Sequence, residues 1–220
     1  MDRPIDTLTG LISEVELYED MGALIAKGGE FALIAMDIDN LMAINRDFGH
    51  GAGDDVFRLI ADSVRYTFPE PCLAYRGMRD HFDILIPGGT KEGAFLKAEG
   101  LRKLICETKL DYTSGDGAPM EQSVTMGVSS YPDDGRRPAD IYRRADSAMV
   151  RAKKNGRNQI YLAREEKLLP KTSHYTQAQL EKLSLISEKL GVGEAALLRE
   201  ALDMLLKKHD VDDVGDAGDI

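Results

Sequence analysis

Arg76-Gly77-Met78-Arg79-Asp80-His81-Phe82-Asp83-Ile84-Leu85 is the stretch that decides the reading of this chain. Phe82–Ile86 is an apolar run of strand length, and Leu73–Tyr75 before it is another. The few residues between them predict a tight turn, and Pro87-Gly88-Gly89 closes the hairpin. Upstream, Phe31 to Asp37 reads as a buried strand within a segment that ends Met36-Asp37-Ile38-Asp39. Asp37 and Asp39 therefore close one strand, and Asp80 sits on a hairpin expected beside it. Carboxylates and a backbone carbonyl gathered at strand ends form a hard oxygen site, suited to magnesium bound jointly with phosphate. On spacing alone, a second reading stays open, in which Asp37 and Asp39 cap the following helix.

Outward from this segment the elements alternate. Ser13 and Glu16 make a capping-box pair that predicts a helix start. Helices are expected over residues 40–50 and 53–66, with Gly51-Ala52-Gly53 punctuating them, and over 91–108 and 139–154. Strands are expected over 123–130 and 159–162. This order implies an α+β fold, a mixed sheet flanked by helices. Residues 164–171, charged and closed by Pro170, read as a linker. Beyond it come a strand candidate at 171–176 and helices at 178–190 and 194–209, parted by Gly191-Val192-Gly193. Residues 210–220 hold five aspartates and no basic residue, the composition of a disordered acidic tail.

Bulk properties narrow the class. A chain of 220 residues, 43% hydrophobic and 30% charged, is long enough for one core plus a small appendage. Its two cysteines, Cys72 and Cys106, make no disulfide framework and fit a reducing compartment. No apolar run is long enough to span a bilayer and no signal-peptide pattern opens the chain, so a soluble, cytoplasmic protein without a membrane partner is expected. The net charge of -10 argues against broad, unspecific affinity for nucleic acid.

Residues 3–163 resemble the GGDEF family, the bacterial diguanylate cyclases. The likeness is carried by Asp6-Thr7-Leu8-Thr9-Gly10-Leu11, Met36-Asp37-Ile38-Asp39, the signature positions Met78-Arg79-Asp80-His81-Phe82, Arg144-Ala145-Asp146 and Gly156-Arg157-Asn158. It implies a nucleotidyl-cyclase, palm-like (ferredoxin-like) sheet over residues 1–163. The resemblance also implies magnesium or manganese held by Asp37, the Ile38 main chain and Asp80. Phosphates would lie over the helix start from Asn40 through Leu41 and Met42 to Ala43, guanine would be read by Asn45 and Asp54, and Lys153 and Arg157 would clamp the triphosphate. A helix start attracts anions through its free amides, and a carboxylate accepts from guanine N1 and N2 hydrogens as it cannot from adenine. The bland alternative for Lys153 and Arg157 is a solvated basic helix end.

Against the family pattern, Met78 and Arg79 replace two glycines and His81 replaces a glutamate. Gly77 is expected to take over the tight turn and so preserve the fold. Arg79 then either pairs with phosphate or fills space a substrate needs. His81 either moves protons beside the reacting centre or is an ordinary turn histidine. Leu41-Met42 stand where the family has Phe-Lys, so one positive charge is missing. Pro69-Glu70-Pro71-Cys72 stands in place of the family's Arg-x-x-Asp product site, which is absent. The expectation is GTP, or a related guanine nucleotide, bound with weak or absent cyclisation, because in-line attack depends on placement. Two other readings stand: an active diguanylate cyclase making cyclic di-GMP from two GTP, and a structural dimer with a vestigial site.

Residues 172–209 resemble a ribbon-helix-helix module, which implies a homodimer and DNA as a further partner. Leu180, Leu183, Ile186 and Leu190 form one apolar face, and Leu198, Ala201, Leu202 and Leu205 another. Thr172 and His174 are the candidates for base contact, and Lys171 for phosphate. The alternative is a helical hairpin that only dimerises the protein or packs on the first domain. Residues 171–209 hold six Lys/Arg against five Asp/Glu, a mild balance for a DNA binder.

Overall fold

Phe31–Ile38 (β2) is apolar at every position except Asp37, and all of its residues are buried. Such a run fits a strand covered on both faces. It pairs antiparallel with His81–Pro87 (β4) on one side and Val124–Tyr131 (β5) on the other. With Ile12–Ser13 (β1), Leu73–Arg76 (β3) and Ile160–Leu162 (β6) this makes a six-stranded mixed sheet in the order β1-β3-β4-β2-β5-β6. The expected α+β architecture is present. The computed structural model describes residues 3–115, 117–164, 172–190 and 193–208.

Side-chain alternation along β2 divides the core in two. Ala32, Ile34, Met36 and Ile38 meet Val56 and Ile60 of His50–Thr67 (α3) and Leu101 and Ile105 of Lys91–Glu107 (α4). Phe31, Leu33 and Ala35 meet Leu17 and Met21 of Leu17–Ala26 (α1) and Ile141, Ala145 and Met149 of Pro138–Lys154 (α5). The α5 helix lies very close to the sheet, since a Cβ on Gly127 would sit 2.0 Å from the Ala145 carbonyl oxygen. Asp37, His81 and Asp83 share the parity of Leu33 and Leu85, so they belong to the α5 side.

Three local expectations are corrected. Ser13 caps nothing with its side chain; it pairs with Arg76 in the β1–β3 ladder, a 3-10 turn covers Glu14–Glu16, and α1 starts at Leu17. The sheet has drawn the would-be capping residue into a strand. Gly51-Ala52-Gly53 lie inside α3, and the break from Leu41–Phe48 (α2) falls at Gly49, whose φ is 88°. Gly53 is small because α2 packs there: a Cβ would lie 2.1 Å from Asn45 Oδ1.

The third concerns the second unit, which begins at Lys167. Residues 172–176 form no strand in the single chain. A ribbon strand takes its ladder bonds from another chain, so one copy offers it no partner. Gln177–Leu190 (α6) and Glu194–Lys208 (α7) pack on each other. Thr176 and Gln179 cap α6 reciprocally, with Thr176 N donating to Gln179 Oε1 at 2.9 Å and Gln179 N to Thr176 Oγ1 at 3.3 Å. Leu180, Ile186, Leu190, Leu202 and Leu205 are exposed in this unit. The expectations for residues 165–171, Lys171 included, and for 209–220 fall outside the described residues. Among the described residues no helix is long and apolar enough to cross a membrane.

Candidate nucleotide and metal site

On α5 the residues Tyr142, Asp146, Met149 and Lys153 recur at helical spacing and form one stripe over the sheet. Its last member brings Lys153 Nζ to 2.7 Å from Asp37 Oδ1. Asp37 is only 7% exposed. Burial pushes its carboxyl up to about 6; Asp80 adds to the rise, and Lys153 and His81 oppose it. A carboxylate so placed calls for a cation, and the Lys153 ammonium meets that need only in part, since the carboxyl stays raised. Asp80 is brought alongside by the Ile38 N–H, which donates to the Asp80 carbonyl at 3.2 Å. Asp37, Asp80 and the Ile38 main chain supply hard oxygens of the kind a divalent ion takes, and would share such an ion with phosphate and water. Among the described residues no three His, Cys, Asp or Glu side chains converge on one point.

Asp39 has a different task. Its carboxylate accepts from Ser123 Oγ at 2.7 Å, Thr125 Oγ1 at 2.6 Å and the Asn158 N–H at 3.0 Å. These bonds satisfy it structurally and tie down the loop after α5, where Gly156, Arg157 and Asn158 all have positive φ. Neither aspartate caps α2, whose N-cap is Asn40 at φ 56° without a side-chain bond. Arg157 lies exposed on the tied loop. At the α2 start the Ala43 N–H turns back to Asn40 O at 2.8 Å, which leaves the Leu41 and Met42 amides without an intrahelical acceptor. Asn45 Oδ1 is buried and has no hydrogen-bond partner, close to Gly53 and hence to Asp54.

The hairpin departs from expectation. Gly77 does not take over the turn: its N–H pairs with His81 O at 2.9 Å, and the His81 N–H closes the turn on Met78 O at 3.2 Å. Arg79 itself takes φ 57°. Gly77 is needed for space instead, since a Cβ there would sit 2.6 Å from Glu14 Oε2 and 3.1 Å from the His81 ring. Met78 is 75% exposed. His81 turns inward, with Nε2 at 3.2 Å from Asp83 Oδ1 and 3.3 Å from the Tyr142 hydroxyl. Burial alone would lower the His81 pKa, but Asp83, Asp146 and Asp37 together hold it above the ordinary histidine value. The ring therefore carries more positive charge near neutral pH than a free histidine, where the family has a glutamate.

Comparison with known proteins places this geometry. The family model "Diguanylate cyclase, GGDEF domain" matches residues 4–159. The chain belongs to the GGDEF family. A ribbon-helix-helix domain model matches residues 167–210. Over 162 residues the chain is 31% identical to the diguanylate cyclase DgcP of Pseudomonas aeruginosa, covering 72% of this chain and 24% of that protein. A diguanylate cyclase of Vibrio cholerae is 32% identical over 168 residues, covering 73% of this chain and 50% of that one. The chain thus spans half or less of these relatives' length. Among solved structures, the active GGEEF domain of a diguanylate cyclase from Vibrio cholerae gives a TM-score of 0.63 at 29% identity, covering 71% of this chain and 99% of that one. The GGDEF domain of DgcB from Caulobacter crescentus, in complex with c-di-GMP, gives 0.66 at 24% identity over 74% of this chain and 97% of that one, a likeness of fold.

Sequence reasoning missed the inward lock on His81 by Asp83 and Tyr142, and the tie from Asp39 to the Arg157 loop. Strand parity put Asp83 on the α5 side of the sheet, which was the available signal. Nothing local marked Tyr142.

Because folding raises the Asp37 carboxyl from an ordinary 3.8 to about 6, it contributes stability that is full below about 4 and lost as pH rises through about 6. In metal-free urea denaturation, Asp37→Asn should gain on the unmodified chain by on the order of 2 kcal/mol between pH 4 and 7. Magnesium should restore only the unmodified chain. Parallel pH profiles would contradict this.

Proposed function

We propose that this GGDEF domain holds magnesium–GTP without efficiently cyclising it, and that the ribbon-helix-helix segment makes the protein a dimeric, DNA-binding, nucleotide-responsive regulator. One contrast carries the reading. Lys153 at 2.7 Å from Asp37 and the unpartnered Asn45 Oδ1 support binding, while the signature turn carries two side chains and a histidine held inward.

In this reading Asn45 Oδ1 and Asp54 accept from guanine, and the Leu41 and Met42 amides with Lys153 and Arg157 take the phosphates. Asp37, the Ile38 carbonyl and Asp80 would hold magnesium, whose chemistry when bound is to neutralise phosphate charge. Cyclisation needs the 3′-hydroxyl of one GTP in line with the α-phosphate of another. Met78 and Arg79 put bulk where glycine would let a nucleotide approach, and His81 brings positive charge in place of a fixed negative one. The second reading, an active cyclase, is favoured by the names of the relatives at 31% and 32% identity.

Calorimetry should find magnesium-dependent GTP binding, with ATP bound more weakly. Asp37→Ala and Lys153→Ala should each weaken GTP by at least about tenfold. An unmodified chain that binds no GTP would leave the site vestigial and end the proposal.

For the second unit, truncation after Glu166 should give a monomer that still binds nucleotide. The full chain should select a two-fold symmetric DNA site, with affinity falling as salt rises. Thr172→Ala with His174→Ala should abolish selectivity and leave the dimer intact, because the apolar faces of α6 and α7 hold it. If random DNA yields no enriched sequence and truncation still costs the dimer, the segment is a pairing module only.

A further inference from the structure

The turn Met78–His81 places Arg79 at φ 57°, a conformation that glycine adopts freely and an L side chain adopts only under strain. Such a residue persists only where its surroundings over-determine it. The surroundings here are the Arg76 guanidinium. It lies over the rings of Phe57 and Phe82, 4.3 and 4.9 Å from their centroids, so its plane is fixed. From that platform Nη1 donates to His81 O at 2.8 Å and to Gly77 O, and Nη2 donates to Arg79 O. One planar fork thus holds the carbonyls on both sides of the turn and the carbonyl of the strained residue itself.

The Arg79 carbonyl belongs to the peptide that leads into Asp80, so fixing it fixes where Asp80 starts. The Asp80 carbonyl is in turn the acceptor of the Ile38 N–H. We propose that Arg76 is the positioning residue of this hairpin: it clamps the turn carbonyls and so keeps Asp80 beside Asp37 although no glycine relieves the turn. A lysine cannot substitute, because a point charge on a flexible stem neither lays a flat face on the rings nor reaches three carbonyls in fixed geometry. The consequence for metal rests on the proposed role of Asp80; the consequence for the hairpin does not.

The claim predicts a specific coupling. Arg76 should matter most while residue 79 is strained, and much less once Arg79→Gly removes the strain. The test compares four full-length proteins: unmodified, Arg76→Lys, Arg79→Gly and the double variant. Amide hydrogen exchange across residues 77–81 is read without metal, and affinity for manganese–GTP is read by calorimetry. Arg76→Lys alone should speed hairpin exchange by at least about tenfold, and by less than about threefold in the Arg79→Gly background, with manganese–GTP affinity following the same pattern. Equal effects in both backgrounds, or no effect of Arg76→Lys, would overturn the proposal. If Arg76→Lys does not fold, Arg76→Gln, which keeps a planar donor group, is read in the same cycle. The expected exchange pattern with no manganese–GTP binding by any of the four would uphold the clamp and sink the nucleotide reading.

Discussion

Strand β2 lies between two helical layers, and that double burial is the constraint from which the site follows. A strand covered on both faces carries Asp37 out of the core still almost wholly enclosed. Enclosure penalises the carboxylate, and Lys153 at 2.7 Å offsets part of the penalty. This pair joins the central strand to the end of α5, so the spacing between sheet and helix sets the spacing within the site. The near-contact of Gly127 with Ala145 holds that spacing short. From the same strand the β2–β4 register places Asp37 opposite His81, and Asp80 one residue earlier, at the rim.

The long, apolar, uninterrupted elements were legible in the sequence because burial on both faces leaves a continuous run, as in Phe31–Ile38, and an amphipathic helix leaves a stripe, as in 139–154. Punctuation was less legible. Ser13 with Glu16 carries the local pattern of a helix start, yet partners 63 or more residues away claim this segment: Arg76 pairs with Ser13, and the Met78 N–H donates to Glu14. Gly51 and Gly53 read as breaks, but Gly53 is small because α2 packs on it. Gly77 looked like a relocated turn glycine and is instead a spacer against Glu14 and His81. In each case a contact distant in sequence outweighed a local preference, and a single sequence does not display such contacts.

The candidate site divides along the same line. Asp37, Asp80 and Lys153 were named from motif positions, and the structure brings them together at one end of the sheet. What motif positions did not display is how the altered residues are accommodated. His81 does not point outward as a turn residue would; Asp83 and Tyr142 hold it on the α5 side. Arg79 bears a left-handed backbone, and Arg76 takes up its carbonyl. The substitutions have thus been absorbed with the hairpin still formed, and the proposed function rests on separating the holding of a ligand from its reaction. A hairpin that keeps its shape can still present Asp80. In the proposed reading, bulk at Met78 and Arg79 and charge at His81 would act on a second substrate approaching from outside.

That separation is open to direct measurement. Purified full-length protein is incubated with GTP and magnesium, protein is separated from solution, and mass analysis identifies the guanine nucleotide in each fraction. The account predicts intact GTP retained on the protein and only traces of cyclic di-GMP in solution. Abundant cyclic di-GMP, or no guanine nucleotide retained at all, would contradict it.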